Sequence, residues 1–236
     1  MHPALADLLH SSPYTVALTG AGVSTLSGIP DFRGQRGLYQ DPGYLRAFDL
    51  DLFRVDPTVY YGAFRDLLYG ERVYQPNLVH QALASLEAEG NLQAVVTQNI
   101  DGLHTAAGSK RVYEVHGSAA VHRCLVCGST QTPSQVRGQI QNGRLPPLCA
   151  CGGVLKPDIT FFGEELPREA FEGAFAEAQR CSLLLVLGTS LTVYPVASLP
   201  EVVLRRGGTV VIVNAQPTPL DGQAALRLWS LEEAFG

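Results

Sequence analysis

Five short apolar runs constrain the fold of this chain more than any other feature. They are rich in Val, Leu and Ala and do not alternate with polar residues, as expected of strands buried on both faces of a sheet. Helical stretches separate them, several with proline in the first turn. This order predicts an α/β fold with a largely parallel sheet and helices on both faces. The predicted strands are 15–18, 94–97, 112–115, 183–187 and 210–213, and the predicted helices are 3–11, 57–69, 77–89, 167–179 and 195–205.

Two segments break this alternation. Residues 28–70 are rich in Gly, Pro, Asp and Arg at their start, which is typical of a functional loop. Residues 118–157 hold four clustered cysteines among glycines and prolines, which predicts a small module held together by metal rather than by a core. We therefore expect one domain from 1–117 and 158–236, with 118–157 inserted as a second.

Composition excludes several classes of protein. The apolar fraction of 46% in 236 residues supports a substantial core, and the net charge of −5 gives no basic surface for nucleic acid or anionic membranes. The first ten residues lack the pattern of a secretory signal, and no apolar segment is long enough to span a bilayer. We expect a cytoplasmic protein without a membrane partner. The sequence does not indicate an oligomeric state.

Four of the five cysteines form two close pairs. Cys124 and Cys127 make a Cys-x-x-Cys pair, and Cys149 and Cys151 make a second close pair, separated from the first by 21 residues. In a chain without a secretory signal this clustering favours a zinc knuckle or ribbon over disulfides. Cys181 stands alone in an apolar run, where it is interpreted as a small buried residue.

A glycine turn follows the first predicted strand. Gly20-Ala21-Gly22-Val23-Ser24 lets backbone N–H groups approach an anion. The full dinucleotide fingerprint requires glycine where Thr25 stands and an acidic residue after the next strand, whereas Asp41 lies in an Asp-Pro-Gly turn. The turn favours a dinucleotide phosphate but disfavours an ordinary hydride-transferring dehydrogenase.

Polar residues also follow the other predicted strands. The segments are Thr97-Gln98-Asn99-Ile100-Asp101, His116-Gly117, Gly188-Thr189-Ser190 and Asn214-Ala215. Ligands of open α/β sheets bind beyond the carboxyl ends of the strands. We therefore expect these segments to face one site that contains amides, one carboxylate and one histidine.

Seven motifs, in the same order along the chain, resemble those of the sirtuins, the NAD-dependent protein lysine deacylases. Together they cover residues 16 to about 215 and are highly specific as a set. The motifs are residues 20–24, 28–34, 97–101 and 116–117, the paired cysteines, and residues 162–164 and 188–195. The resemblance implies a Rossmann-like NAD-binding domain and one structural zinc ion held by Cys124, Cys127, Cys149 and Cys151.

The resemblance also implies roles for individual residues. His116 would be the general base that takes a proton from a ribose hydroxyl, which suits the near-neutral pKa of imidazole. Asn99 and Gln98 would orient the nicotinamide ribose and its water, and Asp101 would hold the nicotinamide carboxamide. The implied NAD-binding residues are Gly20, Ala21, Gly22, Ser24, Asp31, Phe32, Arg33, Gln98, Asn99, Ile100, Asp101, Gly188, Thr189, Ser190 and Asn214.

Two further groups of residues are implied. Arg33 would contact phosphate, and Phe32 would cover the reactive carbon and exclude water. The acyl-lysine peptide would add as an extra strand between two walls, one wall being Phe162, Gly163 and Glu164, the other Val193 and Tyr194. Ile159, Phe162 and Val193 are candidates for the channel around the lysine stem.

The chain departs from the family pattern in places that bear on function. Cys149-Ala150-Cys151 is one residue shorter than the usual Cys-x-x-Cys. Family members that favour succinyl or malonyl groups carry Tyr-x-x-Arg in the helix that matches 57–69. Here Tyr60 and Tyr61 stand five and four residues before Arg65. We therefore predict removal of acetyl and other uncharged acyl groups.

Two other functions stay open at this point. One is a protein ADP-ribosyltransferase that uses the same NAD site. The other is a zinc-containing module that binds ADP-ribose or nucleic acid without turnover, for which the basic residues of the cysteine segment are the only support. Those residues are Arg123, Arg137, Arg144 and Lys156, and they lack the interleaved aromatics of a nucleic-acid surface.

Overall fold

Six parallel strands form the central sheet of the structure, a computed structural model that describes residues 1–35 and 37–236. The strands are β1 (Thr15–Thr19), β2 (Ala94–Thr97), β3 (Val112–Glu114), β7 (Leu183–Leu187), β8 (Thr209–Val213) and β9 (Leu226–Leu228). Their order across the sheet is β3-β2-β1-β7-β8-β9. All five predicted strands are confirmed to within one residue at either end, and β9 is an addition that the sequence did not indicate.

Helices cover both faces of this sheet, which explains the strands without alternation. One face packs against α1 (Pro3–Ser11), α6 (Leu78–Ala88) and α11 (Leu231–Phe235), and the other against α9 (Arg168–Arg180) and α10 (Leu199–Arg205). Within β7, residues 183, 185 and 187 belong to the first core and residues 184 and 186 to the second. Since successive side chains of a strand point to opposite faces, every position of β7 must be apolar.

A smaller antiparallel sheet follows β3. Its strands are β4 (Gly117–Cys124), β5 (Thr130–Gln131) and β6 (Leu155–Ile159), in the order β5-β4-β6, with α8 (Pro133–Gln141) between the last two along the chain. The short α7 (Leu103–Ala106) precedes β3. The register between β4 and β6 brings Gly117 opposite Ile159, so this sheet ends beside the carboxyl end of β3.

The segment before α6 is more ordered than its composition suggested. It folds into α2 (Pro42–Ala47), α3 (Leu50–Val55), α4 (Thr58–Ala63) and α5 (Arg65–Leu68), so the single predicted helix 57–69 is divided in two. Their aromatic side chains form a third core together with residues of β4, β6 and α8. Residues 118–157 therefore contribute to a core, and the role of metal in holding that segment together stays a prediction. Among the described residues no helix has the length and hydropathy needed to cross a membrane.

Candidate functional site

The turns after β1 and β7 touch at the point where the order in which the chain adds strands reverses across the sheet. From these two neighbouring strands the chain proceeds outward to β2 and β3 on one side and to β8 and β9 on the other. Gly22 donates its N–H to the carbonyl of Gly188 at 2.9 Å, and a Cβ on Gly22 would lie 2.7 Å from Gly188 Cα. Gly188 has a φ of 59°, a conformation that favours glycine. Open α/β sheets bind dinucleotides at such a switch point, and this close crossing leaves room for backbone only.

A cavity of about 620 Å³ extends along the carboxyl ends of β1, β2, β7 and β8. Most site residues implied by the resemblance line it, namely Gly20, Ala21, Gly22, Asp31, Phe32, Arg33, Gln98, Asn99, Ile100, His116, Ile159, Phe162, Gly163, Glu164, Gly188, Thr189, Ser190, Val193, Tyr194 and Asn214. Ser24 and Asp101 are not among the lining residues. The structure therefore brings nearly all of the expected residues to one cavity, and hydrogen bonds connect the other two to Asn99.

Several lining residues were missed from the sequence. Phe48 and Phe161 contribute aromatic surface, and Gln216, Trp229 and Ser230 border the cavity beyond the end of β8. Phe161 precedes the predicted wall at Phe162, so its position was available from the motif. The sequence offers no comparable signal for Trp229, which follows a strand of only three residues.

Asn99, Ser24 and Asp101 form one hydrogen-bonded group. The amide nitrogen of Asn99 donates to the carbonyl of Gly20 at 3.2 Å and to Ser24 Oγ at 3.1 Å. The Ser24 hydroxyl donates in turn to Asp101 Oδ2 at 2.7 Å, and Asp101 Oδ1 accepts the N–H of Leu103 at the start of α7. Both hydrogen bonds donated by the Asn99 amide nitrogen therefore go to protein atoms. Among the described residues nothing donates to Asn99 Oδ1, so this oxygen is available to a ligand.

A buried chain of hydrogen bonds supports this group from below. Nε2 of His104 lies 2.9 Å from Thr19 Oγ1, whose hydroxyl donates to Thr97 Oγ1 at 2.8 Å. Thr97 Oγ1 also accepts the backbone N–H of Asn99 at 3.1 Å. Since the Thr19 hydroxyl donates to Thr97, His104 must carry its proton on Nε2 to serve as the donor to Thr19. The carboxyl ends of β1 and β2 are thereby fixed relative to each other directly beneath Asn99.

His116 lies at the junction of the two sheets. Its Nδ1 is 3.1 Å from the carbonyl oxygen of Gln98, which can only accept a hydrogen bond, so Nδ1 carries the proton and Nε2 keeps its lone pair. Burial lowers the pKa of the imidazole, the charge of Arg33 acts in the same direction, and the bond to Gln98 opposes both. A neutral His116 with a free Nε2 is suited to accept a proton.

Its neighbours hold His116 in this position. The carbonyl of His116 accepts the N–H of Thr160 at 2.9 Å. Gly117 has a φ of 76°, and a Cβ there would lie 2.1 Å from the carbonyl oxygen of Asp158. Only glycine fits this crossing, which explains why the histidine is followed by glycine in the sequence.

The loop that carries Phe32 and Arg33 closes on itself over the cavity. Leu38 donates its N–H to Asp31 at 2.8 Å and Tyr39 to Phe32 at 2.9 Å. The rings of Phe32 and Tyr39 are 5.1 Å apart, and the Arg33 guanidinium lies 5.2 Å from the Tyr39 ring. The exposed guanidinium is thus placed at the edge of the cavity, where it can meet a phosphate.

Lys156 supports the first wall of the cavity. Its ammonium lies 2.9 Å from Glu164 Oε2 and donates to the carbonyl of Ile159 at 2.8 Å. Glu164 Oε2 also accepts the N–H of Phe161 at 2.8 Å, and the ammonium sits 4.3 Å from the Phe161 ring. Lys156 is buried, so it belongs to the wall and is not part of a basic surface.

The four clustered cysteines converge on one point. All four sulfur atoms lie within 4.8 Å of one another, and three of the separations are 3.4, 3.5 and 3.7 Å. Tetrahedral zinc–thiolate bonds of about 2.3 Å would place sulfurs roughly 3.8 Å apart, whereas a disulfide requires about 2.05 Å. The shortened pair Cys149 and Cys151 therefore still reaches the cluster, and the sulfur set fits one zinc ion.

Comparisons with known proteins agree with this geometry. A sequence profile described as the Sir2 family matches residues 20–195. The NAD-dependent protein deacetylase of Thermotoga maritima is 44% identical over 221 residues, covering 94% of this chain and 89% of that protein. The NAD-dependent protein deacylase of Thermococcus kodakarensis is 42% identical, covering 89% of this chain and 83% of that protein.

Solved structures show the same fold. A Sir2 structure with a deacetylated p53 peptide and 3'-O-acetyl ADP ribose matches with a TM-score of 0.94 at 42% identity, covering 100% of this chain and 96% of that one. A Sir2 structure with a p53 peptide and NAD+ matches with a TM-score of 0.89 at 42% identity, covering 99% and 94%. The profile spans most of the chain, and the two relatives are 44% and 42% identical to it over most of its length, so the chain belongs to the Sir2 family.

Proposed function

We propose that this protein removes acetyl and other uncharged acyl groups from protein lysine in an NAD-dependent reaction. The products are nicotinamide, O-acyl-ADP-ribose and the free lysine. The observation that carries the proposal is the neutral His116, with Nδ1 bound to Gln98, at one end of a cavity whose glycine crossing fits a dinucleotide. The named activities of the relatives support the same reaction.

NAD supplies the ribose carbon that accepts the acyl oxygen once nicotinamide has left. His116 acts as general base through Nε2 and draws a proton from a ribose hydroxyl. Because its pKa lies below the usual value, the imidazole is unprotonated at neutral pH. Asn99 Oδ1 orients the ribose and its water, since the amide nitrogen is already committed to Gly20 and Ser24.

Asp101 and Arg33 bind opposite ends of the nicotinamide half of NAD. Each carboxylate oxygen of Asp101 accepts one hydrogen bond, which leaves each a second lone pair for the nicotinamide carboxamide. Arg33 meets the phosphates from the loop above, and Phe32 beside it keeps water from the reactive carbon. The positive Arg33 thus stabilises negative charge, and the neutral His116 removes the proton.

The acyl-lysine peptide binds as an added strand between Gly163 and Tyr194. Both residues line the cavity, and in the described residues their backbone N–H and C=O groups have no hydrogen-bond partner. Free backbone groups on facing walls are what strand addition needs. Phe162 differs, since its N–H and C=O already pair with Phe48 and Leu50, so its ring and not its backbone is available to the lysine stem.

The preference for uncharged acyl groups follows from the burial of Tyr61. Its side chain is fully buried and its hydroxyl donates to the carbonyl of Leu155. Arg65 is exposed, and neither residue lines the cavity. A phenol and a guanidinium placed apart in this way cannot bind the second carboxylate of a succinyl group.

Zinc has a structural role in the proposal. Four cysteine thiolates close the coordination shell and leave no position for a catalytic water. A Cβ at Gly153 would lie 2.5 Å from Cys124 Sγ, so the backbone already wraps the sulfur closely. We assign residues 118–157 to a zinc-binding module and residues 1–117 and 158–236 to the NAD-binding domain, with 28–70 as an insertion.

The reaction is tested by mass spectrometry of products from NAD with acetyl-, propionyl- and succinyl-lysine peptides. We expect O-acyl-ADP-ribose from the first two peptides and little from the third. His116→Ala should abolish turnover while a matched change at the exposed His10, His10→Ala, should leave it intact. Near-native turnover by His116→Ala would contradict the role of His116.

The same experiment separates the alternatives. With labelled NAD, an ADP-ribosyltransferase would leave the label covalently on protein, whereas a deacylase leaves it in a small molecule. Efficient removal of succinyl groups would contradict the argument from Tyr61. Binding of DNA without turnover would favour the zinc-containing module, which has little structural support because Lys156 is buried and Arg123 is paired with Asp158 at 2.7 Å.

A further inference from the structure

The only tryptophan of the chain lies at the cavity although little of it is packed in a core. Trp229 is 53% exposed and borders the cavity together with Asn214 and Gln216. Tryptophan carries the largest apolar surface of any side chain, so leaving half of it in water is costly unless a partner covers it. Its position at the cavity wall indicates that this partner is a ligand.

Arg227 holds the indole in a fixed orientation. Its guanidinium carbon lies 3.7 Å from the centroid of the Trp229 ring, a close stack of a cation on an aromatic face. The same guanidinium donates to Asp221 Oδ1 at 3.0 Å, to the carbonyls of Asn214 and Gln216 at 2.7 and 2.9 Å, and to the carbonyl of Leu228. Four of the five N–H groups of Arg227 are therefore bonded to the protein, and the guanidinium serves to support the indole.

Trp229 stands on the half of the sheet opposite to His116. Asn99 and His116 lie at the ends of β2 and β3, on one side of the switch point between β1 and β7. Trp229 follows β9, the outermost strand on the other side. A dinucleotide that crosses a switch point places one nucleoside on each half of the sheet. With the nicotinamide ribose beside His116, the adenosine falls on the side of β8 and β9.

We propose that the indole of Trp229, supported by Arg227, is the surface on which the adenine ring of NAD stacks. The proposal rests on the proposed NAD site and adds the residue that recognises the adenine end. Stacking uses the π-face of the base and needs no further donors, which agrees with an arginine that donates most of its hydrogen bonds to the protein. The C-terminal segment thus contributes one aromatic side chain to the binding of NAD.

A single tryptophan makes the proposal directly measurable. Fluorescence of Trp229 is followed while the wild-type protein is titrated with ADP-ribose, AMP or nicotinamide mononucleotide, and affinities are measured in parallel by calorimetry. ADP-ribose and AMP should quench the emission, whereas nicotinamide mononucleotide, which lacks adenine, should bind with little change in it. Trp229→Leu should weaken ADP-ribose binding roughly 5- to 150-fold and leave nicotinamide mononucleotide unaffected, and Trp229→Phe should retain most of the affinity.

The control is a second exposed aromatic residue away from the cavity. Phe175 on α9 is 38% exposed and does not line the cavity, so Phe175→Leu should bind ADP-ribose as the wild type does. If calorimetry shows ADP-ribose binding but the emission is constant and Trp229→Leu binds equally well, the stacking proposal is wrong while the NAD site stands. If neither ADP-ribose nor NAD binds to any of these proteins, the proposed function fails as well.

Discussion

Replacing His104 with glutamine should make the stability of the protein less sensitive to acid. The His104 side chain is buried beneath Asn99 and bonded to Thr19. Burial lowers the pKa of His104 to about 3, and the neighbouring His80 acts in the same direction. An unfolded histidine has a pKa of about 6.5. Below that pH, His104 is protonated in the unfolded chain but stays neutral in the folded protein. The free energy of unfolding therefore decreases as the pH falls from about 6.5 towards 3.

The size of the loss follows from these two pKa values. The folding equilibrium changes by the ratio of the proton-binding terms of the unfolded and folded states. At pH 5 this ratio is roughly 32, which corresponds to about 2 kcal/mol, and at pH 7.5 it is negligible. Acidification from pH 7.5 to 5 should therefore cost the wild type about 2 kcal/mol through His104 alone.

Urea unfolding at both pH values measures this difference. His104→Gln removes the titrating group and keeps an amide that can donate to Thr19. The variant should be less stable at pH 7.5, but its deficit should shrink by about 2 kcal/mol at pH 5, or by ~0.7 M in the urea midpoint for a slope near 3 kcal/mol per M. Zinc and the remaining histidines are common to both proteins, so their pH dependence cancels in the comparison.

An equal difference in unfolding free energy between the wild type and His104→Gln at both pH values would refute the reasoning. It would mean that His104 gains its proton at the same pH in both states, and hence that the site is not desolvated. A matched His10→Gln variant, changed at an exposed histidine on α1, should run parallel to the wild type. If the difference in unfolding free energy between His10→Gln and the wild type changed with pH as much as that of His104→Gln, the effect could not be assigned to the buried site.

Two further predictions concern the base and the metal. The acid limb of the pH–rate profile should be centred below pH 6.5, because burial lowers the pKa of His116 from its usual value; an acid limb centred above 6.5 would contradict this. Chelation should release one zinc ion per chain and increase proteolysis within 118–157, and Cys149→Ser should bind less zinc than the wild type. Cys181→Ala is the control, since Cys181 lies in the core outside the cluster, and equal zinc contents in both variants would overturn the four-cysteine assignment.

The sheet was predictable because strands covered on both faces leave a direct trace in the sequence. Each long strand is a continuous apolar run, so its bounds could be set to within one residue. β9 left no such trace, because it has three residues and Arg227 stands in its middle. The charge is acceptable there because Asp221 and the carbonyls of Asn214 and Gln216 accept its hydrogen bonds, a compensation that tertiary structure alone provides.

The aromatic core of residues 42–69 was hidden for a different reason. Tyr60, Tyr61 and Phe64 are fully or nearly fully buried, and their spacing is helical. Their partners, however, come from α8 and β6, roughly 70 to 100 residues later in the chain. The sequence of such a segment shows the glycine and proline at its start. It carries no signal for the distant residues against which its aromatic side chains pack.

The two halves of the cavity should respond differently to substitution. On the side of β2 the site residues share hydrogen bonds with the fold, since Asn99 depends on Thr97, Thr19 and His104. Changes there alter stability and chemistry together. On the side of β9, Trp229 is exposed and contributes little to any core, so its replacement should alter binding of the adenine end with little effect on unfolding. The glycine crossing of Gly22 and Gly188 separates these halves, and for this reason the cost of a mutation at the cavity depends on which side of the crossing it lies.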